Sequence, residues 1–185
     1  MIPQQYITEW SEIAPLKANE QVEQDLIICR SLVELFSDEF IAEKLAFRGG
    51  TALHKLFLEP QPRYSEDIDL VQISAEPFGP SIDKIRKQLS FLGEPKIKQK
   101  DRNTTMIFNF ESEIQPIQVL KLKVETNCRE HFSVFNLKEK IFKVNEDKMN
   151  DPEFLGDTTA LLRPDETYDP KEGFRLVKSE LIDEM

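Results

Sequence analysis

The sequence predicts an α+β fold, a mixed sheet flanked by helices with a helical segment at the C-terminal end. Three observations carry that expectation. Helix and strand patterns alternate through the first half, strand patterns then run together as far as Asn127, and the last stretch returns to helix signals. The division this suggests is one domain over residues 1–135 and a helical segment over residues 136–185.

Between Asn19 and Phe36 the apolar residues Val22, Leu26, Cys29, Val33 and Phe36 recur at steps of four and three, one face of a helix. Ser37 or Asp38 can cap a second, short helix carrying Phe40, Ile41 and Leu45. Ala46 to Arg48 reads as a short strand that ends at the Gly49-Gly50 turn. Thr51 can cap the next helix, with Leu53, Leu56 and Phe57 inward and a stop before Pro60. Asp67 to Ile73 reads as a strand, broken by Pro77, Gly79 and Pro80. Ser81 to Leu92 is a helix with Ile82, Ile85 and Leu89 buried. Antiparallel strands follow at Lys96–Lys100, Thr104–Phe110 and Ile117–Asn127. The tail gives three helix patterns: Leu137–Asn150, a second from Asp151-Pro152, and a third from Asp169-Pro170 with Phe174, Val177 and Leu181 on one face.

Composition narrows the function. Hydrophobic residues make up 39% and charged residues 31%, the balance of a soluble globular chain. No apolar run approaches the roughly 20 residues that cross a bilayer, and Met1 to Trp10 lacks the make-up of a secretory signal. Two cysteines, Cys29 and Cys128, form neither a CxxC pair nor a disulfide framework, so a reduced, cytoplasmic protein is expected. The net charge of −10 opposes indiscriminate nucleic-acid binding. The charge is uneven: residues 145–185 hold twelve acids against five bases. Residues 83–102 reverse this, with Lys84, Arg86, Lys87, Lys96, Lys98, Lys100 and Arg102 against three acids. That run is either a solvated helix face followed by a lysine-blunted edge strand, or a local site for phosphates or RNA.

The chemistry concentrates in "FRGGTALHKLFLEPQPRYSEDIDL", Phe47 to Leu70. Residues two apart on a strand share a side, so Asp67 and Asp69 lie together with Cα atoms about 6.6 Å apart, while Ile68 and Leu70 face the core. Two carboxylates held that close repel unless a cation lies between them, and hard oxygen ligands suit Mg²⁺. The glycines at 49 and 50 let backbone N–H groups approach a triphosphate, and the following helix adds its unpaired N–H groups. Either element alone is ordinary: a D-x-D strand is usually a solvated face, a glycine pair a tight turn. Together they make a nucleotide site. On the later strand Lys121, Lys123 and Glu125 share a side, so Glu125 is a third acid if that strand neighbours the first. A solvated Lys–Glu ladder accounts for the same alternation. His54, one turn into the phosphate-facing helix, either touches ligand or is a surface or boundary residue, and His131 has no companion ligand nearby for zinc. Neither a G-x-S-x-G elbow nor G-x-x-x-x-G-K-[ST] occurs.

"FRGGTALHK" followed by "RYSEDIDL" resembles the paired motifs of the AbiEii/AbiGii-type nucleotidyltransferase toxins, within the DNA polymerase β-like superfamily. The likeness extends through "LKLKVETNCRE" and into the tail from Met149 to Ile182, although only the first motif pair is sharp. The resemblance implies a nucleotidyltransferase-type fold and Mg²⁺- or Mn²⁺-dependent transfer of NMP from an NTP such as GTP or CTP. It implies an RNA or tRNA acceptor, an antitoxin partner, and a role in abortive infection or a toxin–antitoxin pair. It carries phosphate binding to Gly49, Gly50 and Thr51, and metal binding to Asp67, Asp69 and Glu125. Ser65 and Arg63 fall at the site's entry, and Lys121 or Lys123 can meet phosphate. One departure stands out. The family's helical segment with a lysine and an Arg-Asp-x-x-Asp-like cluster has no full counterpart, since only residues 130–136 precede the tail. Lys140 or Lys143 could replace the lysine. A shortened relative that binds nucleotide or a partner without transferring, and transfer to a small molecule, are the alternative expectations.

Overall fold

The computed structural model describes residues 2–14, 16, 18–58, 64–131, 137–140, 142 and 177–179. Its elements are α1 (Gln4–Trp10), α2 (Asn19–Phe36), α3 (Glu39–Lys44), β1 (Leu45–Arg48), α4 (Gly49–Leu56), β2 (Asp67–Gln72), α5 (Gly79–Gln88), β3 (Lys96–Lys100), β4 (Asn103–Glu111), β5 (Val119–Asn127), β6 (Lys138–Lys140) and β7 (Val177–Ser179). The strands form one sheet in the order β3-β4-β5-β2-β1-β7-β6. It is mixed: β2 runs parallel to β5 and β1 to β7, while the other neighbours are antiparallel. The α+β expectation holds.

Alternation along the strands divides the sheet into two sides. Ile68 and Leu70 of β2, Leu122 and Val124 of β5, and Met106, Phe108 and Phe110 of β4 are buried against the helices. They join Ile27, Ile28, Leu32 and Leu35 of α2 and Ile85 of α5 in one core. Residues of the opposite parity on β4 and β5 are exposed or half-buried. That side bears the candidate site.

Helix α2 is buried nearly all round rather than along one stripe. Leu26 and Val33 are only partly covered, whereas Glu23, Gln24, Asp25 and Ser31 are inside. The reason lies in its neighbours: α1, α3, α5 and β5 all pack on it. Several of its interior polar groups bond across the fold, as where Glu23 Oε1 accepts the Glu113 N–H at 2.8 Å, while Glu23 Oε2 and Ser31 Oγ have no hydrogen-bond partner among the described residues. Of the two candidate caps for α3, Asp38 takes the role, accepting the Ile41 N–H at 3.2 Å, and Leu45 passes into β1. The α5 helix ends at Gln88, a 3₁₀ turn at Ser90–Leu92 follows, and Ile82 is only partly buried.

Helix α4 departs further. It begins at Gly49 rather than at Thr51, and it buries Thr51, Ala52 and His54 instead of Leu53, Leu56 and Phe57. Leu53 is exposed. What orients the helix is a buried ion pair: Lys55 Nζ lies 2.6 Å from Asp25 Oδ1 of α2, with both side chains almost fully covered. A second bond from Trp10 Nε1 to Asp25 Oδ2 at 2.9 Å ties in α1.

In the tail, Lys138–Lys140 and Val177–Ser179 are strands where helices are expected, β7 pairing with β1 at Phe47↔Ser179 and β6 with β7. Backbone pairing along the β1 edge overrides a local helical period. The remainder of those two helix patterns, and all of the one from Asp151, lie outside the described residues.

Candidate active site

Strand β1 delivers the chain to Gly49 beside the middle of β2, with Arg48 directly opposite Asp69. Gly49 has φ +80°, and a Cβ there would run into the Asp69 carboxylate, lying 3.1 Å from both its Cβ and its Cγ. Two constraints therefore select glycine, the backbone angle and the carboxylate pressed against it. This is why a glycine pair and an acid pair lie so close in the sequence. The next residue, Gly50, is exposed at the first turn of α4. Its carbonyl accepts a hydrogen bond from His54 Nδ1 at 2.7 Å. His54 is buried, 2% exposed, rather than at the surface or boundary, and this bond back to the turn satisfies one ring nitrogen inside the fold.

Asp67 and Asp69 are half-buried on the open side of β2, and the parallel strand β5 sets Lys123 opposite Asp67 and Glu125 opposite Asp69. The condition posed for Glu125, that its strand neighbour the aspartate strand, is met. Thr51 Oγ1 donates to Asp67 Oδ1 at 3.3 Å and also bonds the Ser65 hydroxyl, which lies 3.5 Å from the same carboxylate oxygen. Thr51 and Ser65 are both buried. A chain of hydroxyls thus links the start of α4 to the first aspartate. Lys121 is exposed one alternation further along β5, and its carbonyl accepts from Gln24 Nε2 at 3.1 Å. Arg63 and Lys143 lie outside the described residues. Lys140 lies away from the acids, its ammonium 4.5 Å over the Phe57 ring.

The electrostatics concentrate on Asp69. Burial raises its carboxyl pKa above the ordinary value, and the charges of Asp67 and Glu125 add to the effect against Lys123 and Arg48. Lys123 is held charged, chiefly by its bond to Glu125 Oε2 at 2.6 Å. Three carboxylates on two adjacent strands, the central one disfavoured as an anion, have the donor chemistry of a hard divalent cation site. The set is not drawn together as it stands: among the described residues no group of three acids, histidines or cysteines is close enough to hold an ion. Glu125 is turned to Lys123 and Asp67 to the hydroxyls.

Sequence reasoning missed several neighbours. Arg48 Nη1 pairs with Glu130 Oε2 at 3.2 Å, and Asn127 Nδ2 donates to the same oxygen at 2.9 Å. The signal available was a charged residue ending an otherwise buried strand immediately before the glycines. Thr105 of β4 lies opposite Glu125, which only the sheet order reveals. His131 bonds the Gln72 carbonyl through Nδ1 at 3.2 Å. Both cysteines are free thiols. No described helix is long and apolar enough to cross a membrane.

The mixed sheet flanked by helices, with a glycine turn pressed on a D-x-D strand and Glu125 in register on a parallel neighbour, is consistent with a nucleotidyltransferase-type fold. The chain belongs to the family of nucleotidyl transferase AbiEii toxins of type IV toxin–antitoxin systems, whose match covers residues 30–154. Among solved structures it is similar to JHP933 from Helicobacter pylori, at 16% identity and a TM-score of 0.49, over 81% of this chain and 60% of that one. It is also similar to MenT4, a nucleotidyltransferase toxin from Mycobacterium tuberculosis, at 17% identity and a TM-score of 0.48, over 96% of this chain and 55% of that one. The chain therefore spans about 60% or less of the length of these two structures. No curated protein sequence matches it.

Proposed function

We propose that this protein is a metal-dependent nucleotidyltransferase that moves NMP from an NTP to an RNA acceptor, tRNA included, as the toxin of a toxin–antitoxin or abortive-infection system in the cytoplasm. The observation that carries it is the register Asp69↔Glu125 beside Gly49, which gathers three acids and a phosphate-compatible helix start on one side of the sheet. Family membership supports the toxin role and implies an antitoxin partner.

In this reading Gly49 and Gly50 present backbone N–H groups to the triphosphate and Thr51 holds the start of α4 against the first acid. Ser65 and Thr51 fix Asp67 through their hydroxyls. Asp67, Asp69 and Glu125 would hold Mg²⁺ or Mn²⁺, which when bound neutralises phosphate charge and orients the groups that react. Lys123 exchanges Glu125 for a phosphate oxygen, and the exposed Lys121, further along β5, is available to the same anion. An acceptor hydroxyl attacks the α-phosphorus and pyrophosphate leaves, the acceleration coming from position and charge neutralisation.

The test is incubation with Mg²⁺ or Mn²⁺, each labelled NTP and total RNA, beside Asp69→Asn. Label on RNA with the native chain and none with the variant is expected; transfer that survives the substitution removes this site from the reaction. A second reading, nucleotide binding without transfer, is favoured by the acids' failure to converge and by the missing Arg-Asp cluster. Its mark is cation-dependent NTP binding in calorimetry with no label moved to RNA or small molecules.

A further inference from the structure

The basic run from Lys84 to Arg102 is continuous in sequence but divided by the fold. Its first part lies on α5, in the helix layer, where Lys84 pairs with Asp38 at 3.0 Å and Arg86 with Asp83 and Glu94. Its second part is β3, the edge strand of the sheet. Register carries β3 across to the acids: Lys98 lies opposite Thr105, Thr105 opposite Glu125, and Glu125 opposite Asp69. One row along, Lys96, Ile107, Lys123 and Asp67 align in the same way. Alternation places all of these on one side of the sheet, opposite the buried Met106, Phe108, Leu122 and Val124.

Lys96, Lys98, Lys100 and Lys121 are exposed, and among the described residues none of their ammonium groups meets an acid within salt-bridge distance. The opposite side of β3 turns Ile97 toward the core, so its lysines share the open side of the sheet with the acids. Between the lysines and the acids β4 carries Thr105 and the half-buried Ile107, with the exposed Asn109 one alternation further, opposite Lys121. Three strand spacings, about 14 Å, separate β3 from β2.

We propose that this side of the sheet is a track for a single-stranded RNA, with Lys96, Lys98 and Lys100 gripping its phosphates and the strand crossing β4 and β5 to bring its terminal hydroxyl to Asp69. The proposal rests on the transfer reading for its direction. A net charge of −10 opposes indiscriminate polyanion binding, so any such binding needs a local group of bases such as this strip. A single strand can lie flat across it, and Thr105 and Asn109 can reach base edges or 2′-hydroxyls.

The experiment follows a labelled single-stranded oligoribonucleotide of about 12 nucleotides by fluorescence anisotropy over about 50 to 200 mM salt. The proteins are the native chain, the triple variant Lys96→Gln, Lys98→Gln, Lys100→Gln, and Lys87→Gln as a control in the helix layer. Each single-strand phosphate contact contributes about 0.7 to the slope of log affinity against log salt, so the triple variant should lose about 2 from that slope. Its affinity should fall about tenfold or more at the higher salt, with nucleotide binding and the thermal midpoint unchanged. Lys87→Gln should match the native chain. In transfer assays the triple variant should raise KM for RNA and leave kcat unchanged. An unaltered slope in the triple variant, or an equal loss with Lys87→Gln, overturns the track. Lysine-dependent RNA binding in a protein that transfers nothing would leave the track standing and end the transfer reading. Transfer to RNA by the triple variant with an unchanged KM would do the reverse.

Discussion

Substituting Gly49 by alanine tests the contact on which the site is built. The backbone at this position has φ +80°, a region that costs a side-chain-bearing residue on the order of 1–3 kcal/mol. The added methyl would also overlap the Asp69 carboxylate, which lies closer than any real Cβ contact allows. Asp69 must then move by about 1 Å or the turn must shift by as much. A displacement of that size at reacting groups lowers rates by about a hundredfold. Stability should fall by about 2 kcal/mol, which for a chain of this length lowers Tm by about 4–8 °C. Activity should fall much further than stability accounts for. The assay is thermal unfolding beside cation-dependent NTP binding and label transfer at a temperature where both proteins are folded. An unchanged Tm together with native nucleotide binding would refute the argument that Gly49 is dictated by Asp69.

Other substitutions probe separate parts of the structure. Because burial, Asp67 and Glu125 raise the Asp69 carboxyl, the folded state holds this proton more tightly than the unfolded chain. Its ionisation therefore costs stability above the ordinary carboxylate range, and that cost disappears as pH falls through the raised value. Asp69→Asn should be more stable than the native chain near pH 7 without divalent cations, and the gap should close toward about pH 4 in paired melting curves. A variant no more stable at neutral pH would show that the three acids impose no strain. Lys55→Met leaves Asp25 buried without its ammonium partner, so the urea midpoint should drop by the equivalent of about 3–5 kcal/mol, with a shift in Trp10 emission. Asp38→Ala removes the α3 cap together with bonds from Lys84 and Gln88 and should cost about 1–2 kcal/mol in the same assay. Burial raises the Asp38 pKa, but those bonds outweigh it and hold it below the ordinary value. Its contribution is thus present at neutral pH and fades as pH falls below the ordinary carboxylate range.

Most of the fold's first two-thirds was legible because its signals are local. The D-x-D alternation fixed which side of β2 is wet, and the glycine pair marked the strand-to-helix turn. The placement of Glu125 beside the aspartates was legible only conditionally, since Lys121, Lys123 and Glu125 share a side whether β5 is an edge or a neighbour of β2. Long-range pairing decided that. The same kind of pairing turned Lys138–Lys140 and Val177–Ser179 into strands, where short windows carry too few residues for a period to decide. The orientation of α4 was hidden for a different reason. Lys55 reads as a solvated residue, and nothing within the helix says that Asp25, thirty residues earlier, waits for it inside the core. His54 was misjudged with it, since rotating the helix to bury Lys55 buries His54 as well.

The position of β5 between β4 and β2 has a consequence for how the protein comes into being. Asp67 and Asp69 emerge from synthesis well before Glu125, and the chain must complete the β3-β4-β5 meander before its last strand can slot beside β2. Closure over that sequence distance is the slow kind of folding event. A nascent or interrupted chain therefore displays Asp67 and Asp69 without Glu125 beside them, and the three acids come together only with the joining of the sheet's two halves.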